Sequence, residues 1–130
     1  MKNILFTLLL TISFFTYGQK KELKQAQKLI DQEFYNEALD VLQNNKELIL
    51  SSDIKYQAHY YYLNGWALKE DSKSLKAVES LRKSIELERS IRQKKYIEDA
   101  NILIQNAEAE LVNSAVEDNK NDKFLEASEK

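Results

Sequence analysis

The chain has no cysteine and no proline, a single histidine, and two glycines among 130 residues. Without cysteine there is no disulfide, no thiolate nucleophile and no lipid-bearing cysteine of the bacterial lipoprotein kind. With His59 as the one imidazole, a soft-ligand metal site or a Cys–His nucleophile pair is excluded within one chain. Gly18 and Gly65 stand alone, so no glycine-rich phosphate loop exists. So few breakers, set among many Ala, Leu, Glu, Lys and Gln residues, exclude an all-β fold and predict helices. A strong charge excess is missing too. Nineteen basic residues against 21 acidic ones give a net charge of −2, which is not the basic balance of a duplex nucleic-acid binder. No cofactor and no nucleic-acid partner is implied, and a self-contained enzyme is not expected.

There is one long hydrophobic run. Lys2 precedes twelve apolar or small residues, Ile4 to Phe15, and Thr16-Tyr17-Gly18 then sets a bulky residue between two smaller ones before Gln19. Twelve residues are too few to cross about 30 Å of hydrocarbon, and the order is that of a secretory signal peptide. The prediction is a signal over residues 1–18, cleaved after Gly18 or after Gln19. The alternatives are an uncleaved anchor or a buried helix. The Tyr17-Gly18-Gln19 ending resembles export signals of Bacteroidetes bacteria. The expected location is therefore the periplasm or cell envelope, with no stable membrane span after cleavage. Cleavage removes Lys2 alone among the charged residues, which leaves 18 basic against 21 acidic and a net charge of −3. Residues 19–130 suit one small domain.

Within that domain a block occurs twice. Ala26, Leu29, Ala38, Leu42 and Glu47-Leu48 recur 39 residues later as Gly65, Leu68, Ala77, Leu81 and Glu86-Leu87. Periods of this size indicate stacked supersecondary units. Apolar spacing predicts a first helix over Lys20–Gln32 carrying Leu23, Ala26, Leu29 and Ile30, then a turn at Glu33–Tyr35. A second helix, capped by Asn36, is predicted to hold Ala38, Leu39, Val41, Leu42, Leu48 and Ile49. Ser51-Ser52-Asp53 punctuates the chain and offers caps for a third helix from Ile54. Gly65 inside that helix costs about 1 kcal/mol relative to alanine, so a close helix–helix approach is expected there. After a turn at Asp71–Ser74, a fourth helix is predicted to carry Leu75, Ala77, Val78, Leu81, Ile85 and Leu87. The two repeats thus span about 20–50 and 55–88. Ile97, Ala100, Ile104, Ala107, Leu111 and Ala115 then mark one long helix over about 92–118. Residues 119–130 echo the order of Asp31–Ala38 (polar turn, aromatic residue, Glu-Ala) and predict a partial third repeat. The chain is then either the N-terminal part of a longer repeat protein or a complete small protein. In the second case a homodimer through Phe124 and Leu125 would cover the C-terminal edge.

The two blocks resemble the tetratricopeptide repeat. Its pattern has a small residue (Ala26, Gly65), a large apolar one three later (Leu29, Leu68), an alanine twelve after the small one (Ala38, Ala77), and a large apolar residue four beyond (Leu42, Leu81). Phe34-Tyr35-Asn36-Glu37-Ala38-Leu39 is the closest stretch. The period of 39 exceeds the family's usual figure of about 34, and the proline that often closes a repeat is absent. The resemblance implies an all-α antiparallel helix-pair solenoid: two repeats plus a long C-terminal helix. It also implies a concave face lined by the first helix of each pair. Leu23, Gln27 and Ile30 would come from one pair, and His59, Tyr62, Trp66 and Lys69 from the next. These last four are spaced three, four and three apart, on one helix face. The family's carboxylate-clamp form needs Lys and Asn where Leu23, Gln27, Tyr62 and Trp66 stand, so that form is not expected.

Trp66 has two readings, an aromatic anchor for a partner or a packing residue against the long helix. Tyr60 and Tyr61 are expected inside the pair. Glu86, Glu88, Glu108 and Glu110 are expected on a solvated face. Arg89, Arg92, Lys94 and Lys95 form a basic joint before the long helix, expected in water or against an acidic partner or a phosphate-bearing surface. The leading expectation is an exported, non-enzymatic scaffold that binds a peptide or protein on the concave face. The alternatives are the extracytoplasmic sensor region of a longer membrane signalling protein and an accessory domain of an exported enzyme.

Overall fold

The computed structural model describes the backbone of residues 18–128 and the side chains of residues 18–123. The predicted signal peptide falls on residues 1–18, so all of it but Gly18 lies outside the described residues, as do the side chains of Phe124 and Leu125. All regular structure among the described residues is α-helical. The helices are α1 (18–31), α2 (Tyr35–Asn44), α3 (Lys46–Leu50), α4 (Ile54–Glu70), α5 (Ser74–Ser90) and α6 (Ile97–Ser128).

The turns explain how a chain so poor in glycine reverses direction. Glu33, Ser72 and Arg92 take φ of 63°, 58° and 57°, the left-handed conformation that ends many helices. Each makes the same pair of backbone bonds. Glu33 and Phe34 donate to Ile30 and Leu29, Ser72 and Lys73 to Lys69 and Leu68, and Arg92 and Gln93 to Arg89 and Glu88. Glu33 and Ser72 are 39 residues apart, so the cap recurs with the sequence block. A side chain in this conformation carries a Cβ penalty that glycine avoids. Ser72→Gly is therefore expected to raise stability by about 0.5–1 kcal/mol, read by urea unfolding.

Three expectations need correction. Asn36 caps nothing: α2 opens one residue after Phe34, which makes no side-chain cap hydrogen bond, and Asn36 lies inside the first turn. The predicted second helix is interrupted at Asn45, whose side chain donates to the Val41 carbonyl at 2.8 Å. That local bond draws the residue out of helical geometry and separates α2 from α3. The turn expected at 119–122 does not form, because α6 continues through it to Ser128. Asp53 does stand immediately before α4, but without a side-chain cap bond.

Helices α4 and α5 form a tight antiparallel hairpin. Gly65 lies against Leu81: a Cβ placed on Gly65 would sit 2.5 Å from Leu81 Cγ and 3.1 Å from its backbone nitrogen. Small polar residues stitch the seam. Ser84 Oγ donates to the Ala58 carbonyl and Ser80 Oγ to the Tyr61 carbonyl, both at 2.8 Å, and Asn64 Nδ2 donates to Ser80 Oγ at 3.0 Å. Helix α6 runs antiparallel to α5, with Arg82 on Glu108 and Ser74 on Glu110, and therefore parallel to α4. The core holds Leu23, Ala26, Ile30, Ala38, Leu42, Ile49, Leu63, Leu81, Ala100, Ile104 and Ala107. Of the repeat positions, Gly65, Ala77 and Leu81 are also buried, while Leu29 and Leu68 are half-buried. Leu75, predicted among the apolar residues of its helix, is 63 % exposed.

Candidate functional site

The first helix face singled out by sequence, His59, Tyr62, Trp66 and Lys69, does lie on one side of α4, but neighbours occupy much of it. Tyr96, just before α6, stacks on His59 with ring centroids 4.9 Å apart and on Tyr62 at 4.7 Å. Tyr62 is thereby buried, and so are Leu23 and Ile30. These three belong to the core and are not free to meet a partner. Gln27 is half-buried and donates to Asp31 at 2.9 Å. Trp66 is half-buried, packs against the core cluster, and tilts against Tyr62 at 5.9 Å. Lys69 bridges to Glu110 of α6 at 3.2 Å and to Glu70 at 3.3 Å. Burial works against its charge, but the bonds from Glu110 and Glu70 prevail and hold its pKa above the usual lysine value. Glu110 is held below the usual carboxylate value, chiefly by the Ser74 hydroxyl and then by Lys69.

The placement of Tyr96 depends on Glu88. This residue was expected in solvent, yet it is 1 % exposed. Its carboxylate accepts the Tyr96 backbone N–H at 2.7 Å and its carbonyl accepts that of Gln93. The polar side chain enters the interior here because it satisfies the Tyr96 N–H, a backbone donor that the start of α6 leaves unpaired. The other three acids of that group also have partners: Lys83 for Glu86, Arg82 for Glu108, and Lys69 for Glu110.

Fixing Tyr96 creates a cleft of about 310 Å³ between the start of α1, the start of α4 and the α5–α6 connection. Four lysines line it: Lys20 and Lys24 from α1, Lys55 from α4, and Lys95 from the connection. Tyr56, His59 and Tyr96 supply aromatic walls, with Leu23 and Gln93 completing the lining. No acidic residue is among them. Lys55 and Lys95 lie over the rings of Tyr56 and Tyr96, 4.9 and 5.0 Å from the centroids. None of the ion pairs among the described residues involves any of the four lysines. Burial, and then the positive charge of Lys95, push the His59 pKa down to about 4. The imidazole is therefore neutral near pH 7 and adds no fifth cation to the cleft.

Sequence reasoning picked out Lys95 and His59 for separate reasons but missed Lys20, Lys24 and Lys55. One signal was present. Lys20 stands 39 residues before His59, so the repeat puts it at the same helix position in the preceding unit. Arg89, Arg92 and Lys94, the other members of the basic joint, are exposed and outside the cleft.

Among the described residues, no group of three or more His, Asp or Glu side chains is placed to hold a metal ion. No described helix is long and apolar enough to cross a membrane. The chain matches no protein-family model, no curated protein and no solved structure.

Proposed function

We propose that this chain is an exported, non-enzymatic helical-repeat scaffold of the tetratricopeptide kind. It binds a peptide or protein partner along the α4 groove, in the periplasm or cell envelope. The observation that carries this reading is the groove along α4, with α6 running parallel to it and the start of α1 beside its own start. His59, Trp66 and Lys69 stay partly open there, and the basic cleft lies at one end. Support for the repeat comes from recurrence at two levels. The Ala26/Leu42 pairing matches Gly65/Leu81, and the left-handed cap at Glu33 matches that at Ser72. The partner surface differs from the one the resemblance implies. Its apolar members have been absorbed into the core, so recognition falls to the aromatic and basic residues that remain.

Photocrosslinking side chains placed at Trp66 and at Lys24, in the cells that make the protein, are expected to trap the same discrete partner. The same group at Glu79, on the exposed side of α5, should trap none. Capture from all three positions alike, or from none, would overturn the groove as the binding surface.

Self-association through the C-terminal edge, expected at Phe124 and Leu125, is part of the proposal and extends to the exposed apolar residues of α6 that precede them. Val112 and Val116 of α6 are 62 % and 47 % exposed, beside Leu111 at 37 %. Val112→Ser with Val116→Ser is expected to convert a concentration-dependent dimer to monomer in sedimentation equilibrium. A wild-type protein that stays monomeric at about 100 μM, a level at which a micromolar dimer would be nearly complete, would remove that element.

A further inference from the structure

We infer that the cleft between α1, α4 and the α5–α6 connection is an acidic-peptide site, taking two or more carboxylate side chains of a protein partner. This rests on the scaffold reading above and names the chemistry its partner must bring. Three arguments select the ligand. Charge complementarity is local: the protein as a whole is net acidic, while the cleft gathers four lysines from three separate elements and no acid. Cations on an otherwise acidic surface favour an anionic segment there and disfavour it elsewhere.

The second argument is the kind of cation. All four are lysines. Compact ammonium groups on flexible stems meet several anionic oxygens that arrive at varied spacing, as along an acidic peptide, whereas a planar bidentate grip on a single carboxylate or phosphate favours arginine. Arg89 and Arg92 are close in sequence but do not line the cleft. The third argument is size and lining. About 310 Å³ exceeds what one small anion fills, and the rings of Tyr56 and Tyr96 offer apolar contact for the stems of Glu or for a neighbouring side chain. The site differs from the family's carboxylate clamp in its residues: Leu23, Gln27, Tyr62 and Trp66 stand at the clamp positions, and of these only Leu23 borders the cleft.

His59, as the only histidine, gives a single pair of imidazole C–H signals in proton NMR, and its Cε1–H signal reports directly on the cleft. Hexaglutamate added to the purified protein at pH 6.5 is expected to shift it saturably and to raise its titration midpoint by about one pH unit, as a nearby anion must. Affinity is expected to fall roughly three- to tenfold as salt rises from about 25 to about 150 mM. Lys24→Glu with Lys95→Glu should weaken binding by about tenfold or more. Both side chains are exposed, and circular dichroism checks that the fold is kept. The milder pair Lys24→Gln with Lys95→Gln tests the same point if the reversal disturbs folding. Lys76→Glu, exposed on α5 and outside the cleft, should change nothing.

Inorganic phosphate and vesicles of phosphatidylglycerol serve as competing probes. Saturation by either one with no response to hexaglutamate overturns the acidic-peptide assignment in favour of a phosphate site. A flat His59 signal with every probe overturns the site altogether. The photocrosslinking result stands apart from both outcomes, so the scaffold reading survives a failure of this one.

Discussion

Gly65→Ala is expected to lower stability by about 1–3 kcal/mol, although alanine is the better helix former by about 1 kcal/mol. The new methyl carbon would sit 2.5 and 2.8 Å from two carbons of the Leu81 side chain and 3.1 Å from the Leu81 backbone nitrogen. Rotation of Leu81 could relieve the first two contacts in an open site, but Leu81 is fully buried. The third contact is with backbone and yields only if α4 and α5 move apart. Movement there strains the Ser84–Ala58 and Ser80–Tyr61 hydrogen bonds on the same seam. A double-mutant cycle tests the cause. Leu81→Ala alone should cost about 2–5 kcal/mol by leaving a cavity. Combined with Gly65→Ala, it should cost less than the sum of the two, because the methyl group enters the space that the leucine vacates. Strict additivity in urea unfolding would show that the clash with Leu81 is not what makes alanine unfavourable.

The sequence announced this contact through one of its two glycines. A glycine within a helix-forming stretch needs a reason, and the reason is a neighbouring backbone. The same logic failed at the turns. Glu33, Ser72 and Arg92 hold conformations usually marked by glycine, so their caps were invisible to composition. They are legible only as a repeat, through the 39-residue step from Glu33 to Ser72. Asn45 misled in the opposite sense: it lies within an apolar pattern that runs smoothly from Ala38 to Ile49, and its side-chain bond to Val41 breaks the helix regardless. Helical grammar past residue 118 misled too. The polar run Asn119–Lys123 contains no proline or glycine, and with no residue to stop it α6 continues.

For the candidate site, periodicity put His59, Tyr62, Trp66 and Lys69 on one face but could not tell which of them a later segment would cover. That was decided by Tyr96, a residue beyond the repeats, held in place by a buried glutamate that looks in sequence like any solvated acid of a surface helix. Long-range events of this kind leave no local signature. The lysines of the cleft were likewise hidden by their dispersal. Lys20, Lys24, Lys55 and Lys95 form no run in the sequence, and they meet only because α1 and α4 start side by side.

Acidification from pH 7.5 to 4.5 is expected to cost this protein roughly 2–3 kcal/mol through His59 alone. The folded state holds His59 near a pKa of about 4, against an ordinary 6.5, so between those values the unfolded chain takes up the proton and the folded chain does not. The contribution to stability is complete above pH 6.5. It is lost as pH falls from there toward the folded value, and it does not change further below about 4. The groups that line the cleft with it are basic or neutral: Lys20 and Lys24 from α1, Lys55 and Tyr56 from its own helix, Gln93, Lys95 and Tyr96 from the α5–α6 connection, with Lys95 acting directly on the ring. The imidazolium would have no anionic neighbour in the cleft, and it would have to form in contact with the stacked Tyr96 ring. Glu110 also loses stability on acidification, because its lowered pKa makes the folded state resist the proton below the ordinary carboxylate value. His59→Phe separates the two, since it keeps an aromatic ring against Tyr96 and removes only the titration. Urea unfolding followed by the fluorescence of Trp66, the single tryptophan, should show wild type losing about 2–3 kcal/mol more than His59→Phe over this interval. Equal losses in the two proteins would place the acid sensitivity elsewhere and show His59 to be open to water. A bound carboxylate would act in the reverse sense. By stabilising the imidazolium it returns part of the lost stability below pH 6.5, so an acidic peptide in the cleft should protect wild type against acid and leave His59→Phe without that added protection.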